Sequence, residues 1–502
     1  MLSETYKQLC EHFREIAVLG SIGALLDWDA RCILPSGGAE YRSDQQAYLS
    51  NLLHQKRTDP RIGDWLDDVV DSDLTADPRS DSATVIREAK RIYDKQVKLP
   101  ADLVEALTRA ENDGQHAWVE ARKNDDFETF LPFLETTFKL KREQADAIGF
   151  DDCRYDALLD DFEPDEKTFR VRETLEALRK DLVPLLDAIQ GSSEVPDVSL
   201  LTRNYPVDSQ TQFGTRAATA IGFEFDRGRL DVTHHPFCTE AGPDDCRITT
   251  RYDSNFFNMA FFGILHEAGH GIYDQGLRKD YYGLGPGSYL SLGIHESQSR
   301  MWENQVGRGR PFWEYWYGDA QQTFSQALGE VAFEDFYFAI NRVEPSLIRV
   351  EADELTYNLH IIIRFELEQE VLDGEINAAD LPEAWNAKYQ QYLGITPPSN
   401  ADGIMQDVHW SAGLIGYFPT YSLGNLYAAQ FFSSADAELG GLAEMFRRGE
   451  YLPLKHWVGE KIHRVGRSCS AAELVQEVTG EPLNHQYLVD QLKEKLGSLY
   501  KI

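Results

Sequence analysis

Apolar residues recur three and four positions apart along much of this chain, and that period commits it to a largely helical fold. Leu175, Leu178, Leu182, Leu185, Leu186 and Ile189 make one stripe on a helix expected to bend at Pro184. Phe127 to Ala147 shows the same period, so a succession of helices is expected up to about Gln190. Gly191-Ser192-Ser193-Glu194-Val195-Pro196-Asp197 is the clearest linker, dividing this front portion from the rest. Beyond it, Phe223 to Val232 alternates around a Gly turn and Cys246 to Tyr252 is alternating and β-branched, which predicts a small sheet. From Ser254 onward the helical pattern returns. At 502 residues the chain can form two lobes around a sizeable core.

Charge narrows the partners. Forty-nine Lys and Arg face 83 Asp and Glu, a formal net charge of −34 with no clustered basic stripe, which excludes nucleic acid. Such self-repulsion is relieved by salt, so a salt-tolerant surface is one reading. It predicts an unfolding midpoint that rises with molar salt; an unchanged midpoint would contradict it. Cys10, Cys32, Cys153, Cys238, Cys246 and Cys469 are scattered without a CxxC pair, so neither a disulfide scaffold nor a cysteine zinc finger is indicated, and a reducing compartment fits. The start Met1-Leu2-Ser3-Glu4-Thr5 lacks the features of a secretory signal, and no apolar run approaches the roughly twenty residues that span a bilayer. A soluble cytoplasmic protein with no membrane partner is expected.

His266-Glu267-Ala268-Gly269-His270 follows the apolar run Met259 to Leu265. On a helix capped by Asp253 or Ser254 and stopped at Gly276, residues four apart share a face, so both imidazoles reach one cation. Zinc suits such ligands, and Glu267 would stand beside its water as general base. The bland alternative is two partly buried, hydrogen-bonded histidines. A third ligand must come from elsewhere, because Tyr273 and Gly276 occupy the positions where a metzincin has Gly and His. Glu296 follows a Gly-rich turn (Gly283, Gly285, Pro286, Gly287) that lets a second helix fold back, which makes His266, His270 and Glu296 the expected ligands. Glu303 and Asp274 compete, as solvated or supporting carboxylates.

These residues sit among further motifs. His235-Pro236-Phe237, Asp245-Cys246-Arg247-Ile248-Thr249, His295-Glu296-Ser297-Gln298, Ile348-Arg349-Val350-Glu351-Ala352-Asp353 and Gly403 to Trp410 occur in order, and Leu25 to Asp29 and Tyr155 to Leu159 extend the pattern forward. Together with HExxH they resemble the carboxypeptidase Taq family of zinc metallocarboxypeptidases over essentially the full length. Leu34-Pro35 and Asp165 depart from the usual family residues, away from the metal site. The resemblance implies a mainly α, two-lobed metallopeptidase resembling neurolysin, with a deep groove and a small sheet beside it. It implies a single catalytic domain, 1–502, in which 1–190 is a helical lid and 200–502 carries the metal. It implies one Zn²⁺ per subunit, with Co²⁺ possible, a homodimer, and broad release of C-terminal residues from peptides with a free C terminus. His409 and Tyr421, or Tyr417, would stabilise the oxyanion; Arg349, and less so Arg247, would bind the chain end; His235 would shape the groove. An oligoendopeptidase with the same metal site, or a non-catalytic helical peptide-binding protein, are the rivals.

Overall fold

The computed structural model describes residues 2–502, and the three-and-four spacing is realised as helix over most of them. Helix Phe127–Ile148 starts at Asp126, whose carboxylate accepts the Thr129 N–H, and buries Phe127, Phe130, Leu134 and Phe138. Helix Thr168–Gln190 buries every member of its leucine stripe and runs on through Pro184. Gly191 ends it, but the core does not stop at the linker: Leu175, Leu178 and Leu182 belong to the same cluster as Leu488, Leu492 and Tyr500 at the far end of the chain. Ser192 Oγ donates to the Tyr500 carbonyl across that corner, at 2.6 Å. A second, smaller core gathers Leu9, Phe13, Ile62, Leu66, Val85 and Ile86 from the first helices around Leu284. Among the described residues no helix is long and apolar enough to cross a membrane.

The sheet has three strands, β1 (Gly228–Val232), β2 (Cys238–Glu240) and β3 (Cys246–Thr250), in the order β1-β3-β2. β1 runs parallel to β3 and β2 antiparallel to it, with Ile248 opposite both Leu230 and Cys238. Two expectations need correction. Phe223 to Arg227 is not strand: Phe223 and Phe225 pack edge-to-face at 4.9 Å, with Phe223 buried, and Gly228 opens the strand instead of turning a hairpin. A side chain at Gly228 would press on the Cys246 carbonyl at 2.5 Å, so close strand pairing, not a turn, requires this glycine. The motif helix starts at Phe257, three residues past Ser254, because Asp253 is used to bond the Asn255 N–H and, through its carbonyl, Gln210.

Four helices build the centre: the motif helix Phe257–Gly276, Leu292–Arg300, Thr356–Asp373 and Pro419–Leu439. Two glycines set their closeness. A Cβ on Gly269, between the motif histidines, would meet Ser299 Cα at 2.6 Å and the Gln298 carbonyl at 2.7 Å; one on Gly424 would meet Glu296 Cγ at 2.5 Å. Backbone cannot yield as a flexible side chain can, so Gly269→Ala should cost about 1–3 kcal/mol of stability and loosen metal binding. Denaturant unfolding with metal analysis checks this; a variant with parental stability and metal content would contradict the close approach.

Candidate metal centre and peptide groove

One turn apart on the motif helix, the imidazoles of His266 and His270 bring Nε2 to 3.8 and 3.3 Å from Glu296 Oε2. Zinc bonds of 2.0–2.1 Å to nitrogen and oxygen make tetrahedral edges of about 3.3 Å, so this donor set fits such an ion. Each ring is held from behind. His266 Nδ1 lies 2.9 Å from Glu303 Oε2, and His270 Nδ1 lies 2.6 Å from His295 Nδ1, whose Nε2 is 2.9 Å from Asp274 Oδ1. Protons on His266 Nδ1, His270 Nδ1 and His295 Nε2 satisfy all three bonds and leave both facing Nε2 lone pairs for a cation. Glu303 and Asp274 thus support the histidines, and Glu296 faces the shared point.

Glu303 reaches His266 because the chain after Arg300 widens into a π-helical turn, Met301–Val306. Arg300 Nε donates to Glu296 Oε1 at 2.7 Å and Nη1 to Glu303 Oε2 at 3.1 Å. Burial alone would raise both carboxyls, but the Arg300 charge and the histidines outweigh it: Glu303 is held down to about 2 and Glu296 far below the usual range. Burial disfavours the charged ring of His266, yet Glu296 and Glu303 raise its pKa; burial wins at His270, lowered to about 4. Glu267 is buried, and that burial pushes its carboxyl up to about 7. Among the described residues it has no side-chain hydrogen-bond partner.

A polar chain leads from the candidate ligands to Arg349. The Arg300 guanidinium lies 4.4 Å from the Tyr357 ring centre, and Arg349 Nη1 donates to Tyr357 Oη at 2.9 Å. Arg349 Nε and Nη2 donate to Asp407 Oδ1 at 2.9 and 2.8 Å, while Arg364 Nε donates to Oδ2 at 2.6 Å. Arg349 is therefore buried and already paired, and not a free guanidinium. His409 Nε2 is 3.2 Å from Tyr421 Oη; its Nδ1 is buried without a hydrogen-bond partner among the described residues, and burial lowers the ring to about 3, so it is neutral at pH 7. Tyr417 packs on Tyr421 at 5.3 Å and on Phe162 at 5.0 Å.

The other motifs hold this frame. Gln406 accepts the Arg349 N–H at 2.8 Å and donates to the Leu347 carbonyl, tying the two loops together. Asp353 accepts the Leu355 and Thr356 N–H groups where helix Thr356–Asp373 begins. Glu368 receives Tyr155 Oη and Trp410 Nε1 at 2.6 and 2.7 Å. Arg247 pairs with Asp245 at 2.8 Å and stacks 4.2 Å from Trp28, while Thr249 Oγ1 accepts the Phe237 N–H. His235 lies on the exposed connection between β1 and β2. Neither His235 nor Arg247 bonds to the metal cluster among the described residues. Sequence reasoning gave no role to Arg300, Tyr357, Arg364, Asp407 or His295, although Asp407 and His295 lie inside the quoted motifs.

The family model of the carboxypeptidase Taq (M32) metallopeptidases matches residues 8–496. Thermostable carboxypeptidase 1 from Thermus thermophilus is 47% identical over 505 residues, covering 99% of each chain. Carboxypeptidase 1 from Bacillus subtilis is 37% identical over 496 residues, covering 98% of each. The crystal structure of the M32 carboxypeptidase from Deinococcus radiodurans R1 superposes with a TM-score of 0.96 at 40% identity, over 99% of this chain and 100% of that one. On full-length agreement in both sequence and fold, the chain belongs to the carboxypeptidase Taq (M32) family and is a metallocarboxypeptidase.

Proposed function

We propose that the chain releases C-terminal amino acids from peptides with broad specificity, using one catalytic Zn²⁺ per subunit, replaceable by Co²⁺, held by His266, His270 and Glu296. The observation that carries the reading is the buried group of Arg349 and Arg364 on the single carboxylate of Asp407. Two guanidiniums against one carboxylate in contact leave a positive charge to meet an anionic chain end, and Tyr357 and Arg300 link that charge to the ligands.

Held by His266, His270 and Glu296, the ion would supply Lewis acidity, to lower the pKa of a water molecule and polarise the scissile carbonyl. Glu267 takes the water proton as the new C–O bond forms, then passes it to the leaving amine as the C–N bond breaks. Tyr421, paired with His409, donates to the oxygen where negative charge develops; that pairing favours it over Tyr417. The Arg349 guanidinium is shared between Asp407 and the incoming carboxylate. His235 and Arg247 line the outer groove, on the sheet side. Residues 1–190 act as the helical lid of one catalytic domain, with 200–502 as the metal-bearing part, in a cytoplasmic homodimer. Val18, Ile22 and Leu25 are exposed at helical spacing on the first helix, a stripe that a second copy can cover.

Amidating the peptide C terminus tests the reading. Losing a buried charge partner costs about 2–5 kcal/mol, so kcat/KM should fall about 30-fold or more. Equal cleavage of acid and amide would replace this reading with an oligoendopeptidase and remove the role of Arg349.

A further inference from the structure

A second cluster of ligand atoms lies between the sheet and the motif helix. Cys238 Sγ on β2 is 3.6 Å from Cys246 Sγ on β3, and 3.6 Å from Asp274 Oδ2 on the last turns of the motif helix. One ligand atom from each of the three lies within 4.8 Å of the others. Asp274 is already oriented: Oδ1 accepts from His295 Nε2, and Oδ2 faces the sulfurs.

Two thiols this close suit either a latent disulfide or a pair of cation ligands, and the strand register separates these. Cys238 stands opposite Ile248, and Cys246 opposite Glu240, so the cysteines are diagonal neighbours on one face. Diagonal pairs sit about 7–8 Å apart, at or beyond the roughly 7 Å limit for a bridge without backbone movement. Thiolates bound to zinc at about 2.3 Å lie about 3.8 Å from each other across a tetrahedron and about 3.5 Å from a carboxylate oxygen. Both separations of 3.6 Å fall near those edges.

We propose that Cys238, Cys246 and Asp274 form a second cation site for a thiophilic divalent ion such as zinc, with water completing the coordination. Binding releases both thiol protons to solvent; two thiolates, one carboxylate and the ion sum to a single negative charge. The ion fastens β2 and β3 to the motif helix. It also fixes Asp274, which positions His295 and through it His270, so the sheet site steadies the other metal site from behind.

Zinc-reconstituted protein should carry two ions per chain, and the C238S/C246S double variant one. Because serines there can disturb the sheet, the parent gives an independent readout. Its cobalt-loaded form should show thiolate-to-cobalt charge-transfer absorption, which histidine and carboxylate ligands do not produce. An organomercurial that caps thiols should release one of the two zinc ions to a chromogenic chelator. One zinc per chain without charge-transfer absorption overturns the site, and so does a Cys238–Cys246 disulfide found in non-reduced peptides.

Discussion

Glu267→Gln should lower kcat by about 10²–10⁴-fold while zinc content stays at the parental level. Gln keeps the shape of the buried side chain but cannot take a proton from water. It touches none of the bonds that hold the two imidazoles, because Glu303 supports His266 and His295 supports His270. Removing a carboxyl whose ionisation burial opposes should leave thermal stability equal or higher. The check is kcat on protein of measured metal content. A variant within tenfold of the parent would remove Glu267 as general base.

The second large effect belongs to Glu296→Ala, which should weaken zinc binding by more than about 100-fold, since altering supporting partners alone costs 10–100-fold. The truncation removes the oxygen that faces both imidazoles and leaves the partly buried Arg300 with Glu303 as its remaining paired carboxylate. Glu303→Ala should fall in the smaller range, because it frees His266 to turn without deleting a ligand. Zinc titration of the two variants decides; a larger loss at Glu303 would exchange their roles.

What was legible in the sequence is what helix periodicity encodes. The four-residue spacing of His266 and His270 placed both rings on one face, and the Gly-rich turn before Leu292 foretold the returning helix that carries Glu296. The π-helical turn at Met301–Val306 was not legible, since its sequence fits an ordinary helix; without that turn Glu303 stays a competing ligand on paper. Arg349, Arg364 and Asp407 come from three segments, so only the tertiary fold brings them together. β2 is three residues long, too short for alternation to register, and it hid the approach of Cys238 to Cys246 that a search for CxxC pairs passes over.

The central claim is metal-dependent hydrolysis directed at the chain end. Mass spectrometry of one peptide with a free C terminus, followed over time with chelated and zinc-restored enzyme, tests it most directly. The account predicts a ladder shortened one residue at a time from the C terminus, absent after chelation and restored by zinc. Internal fragments, loss from the N terminus, or an undiminished ladder in the chelated enzyme would contradict it.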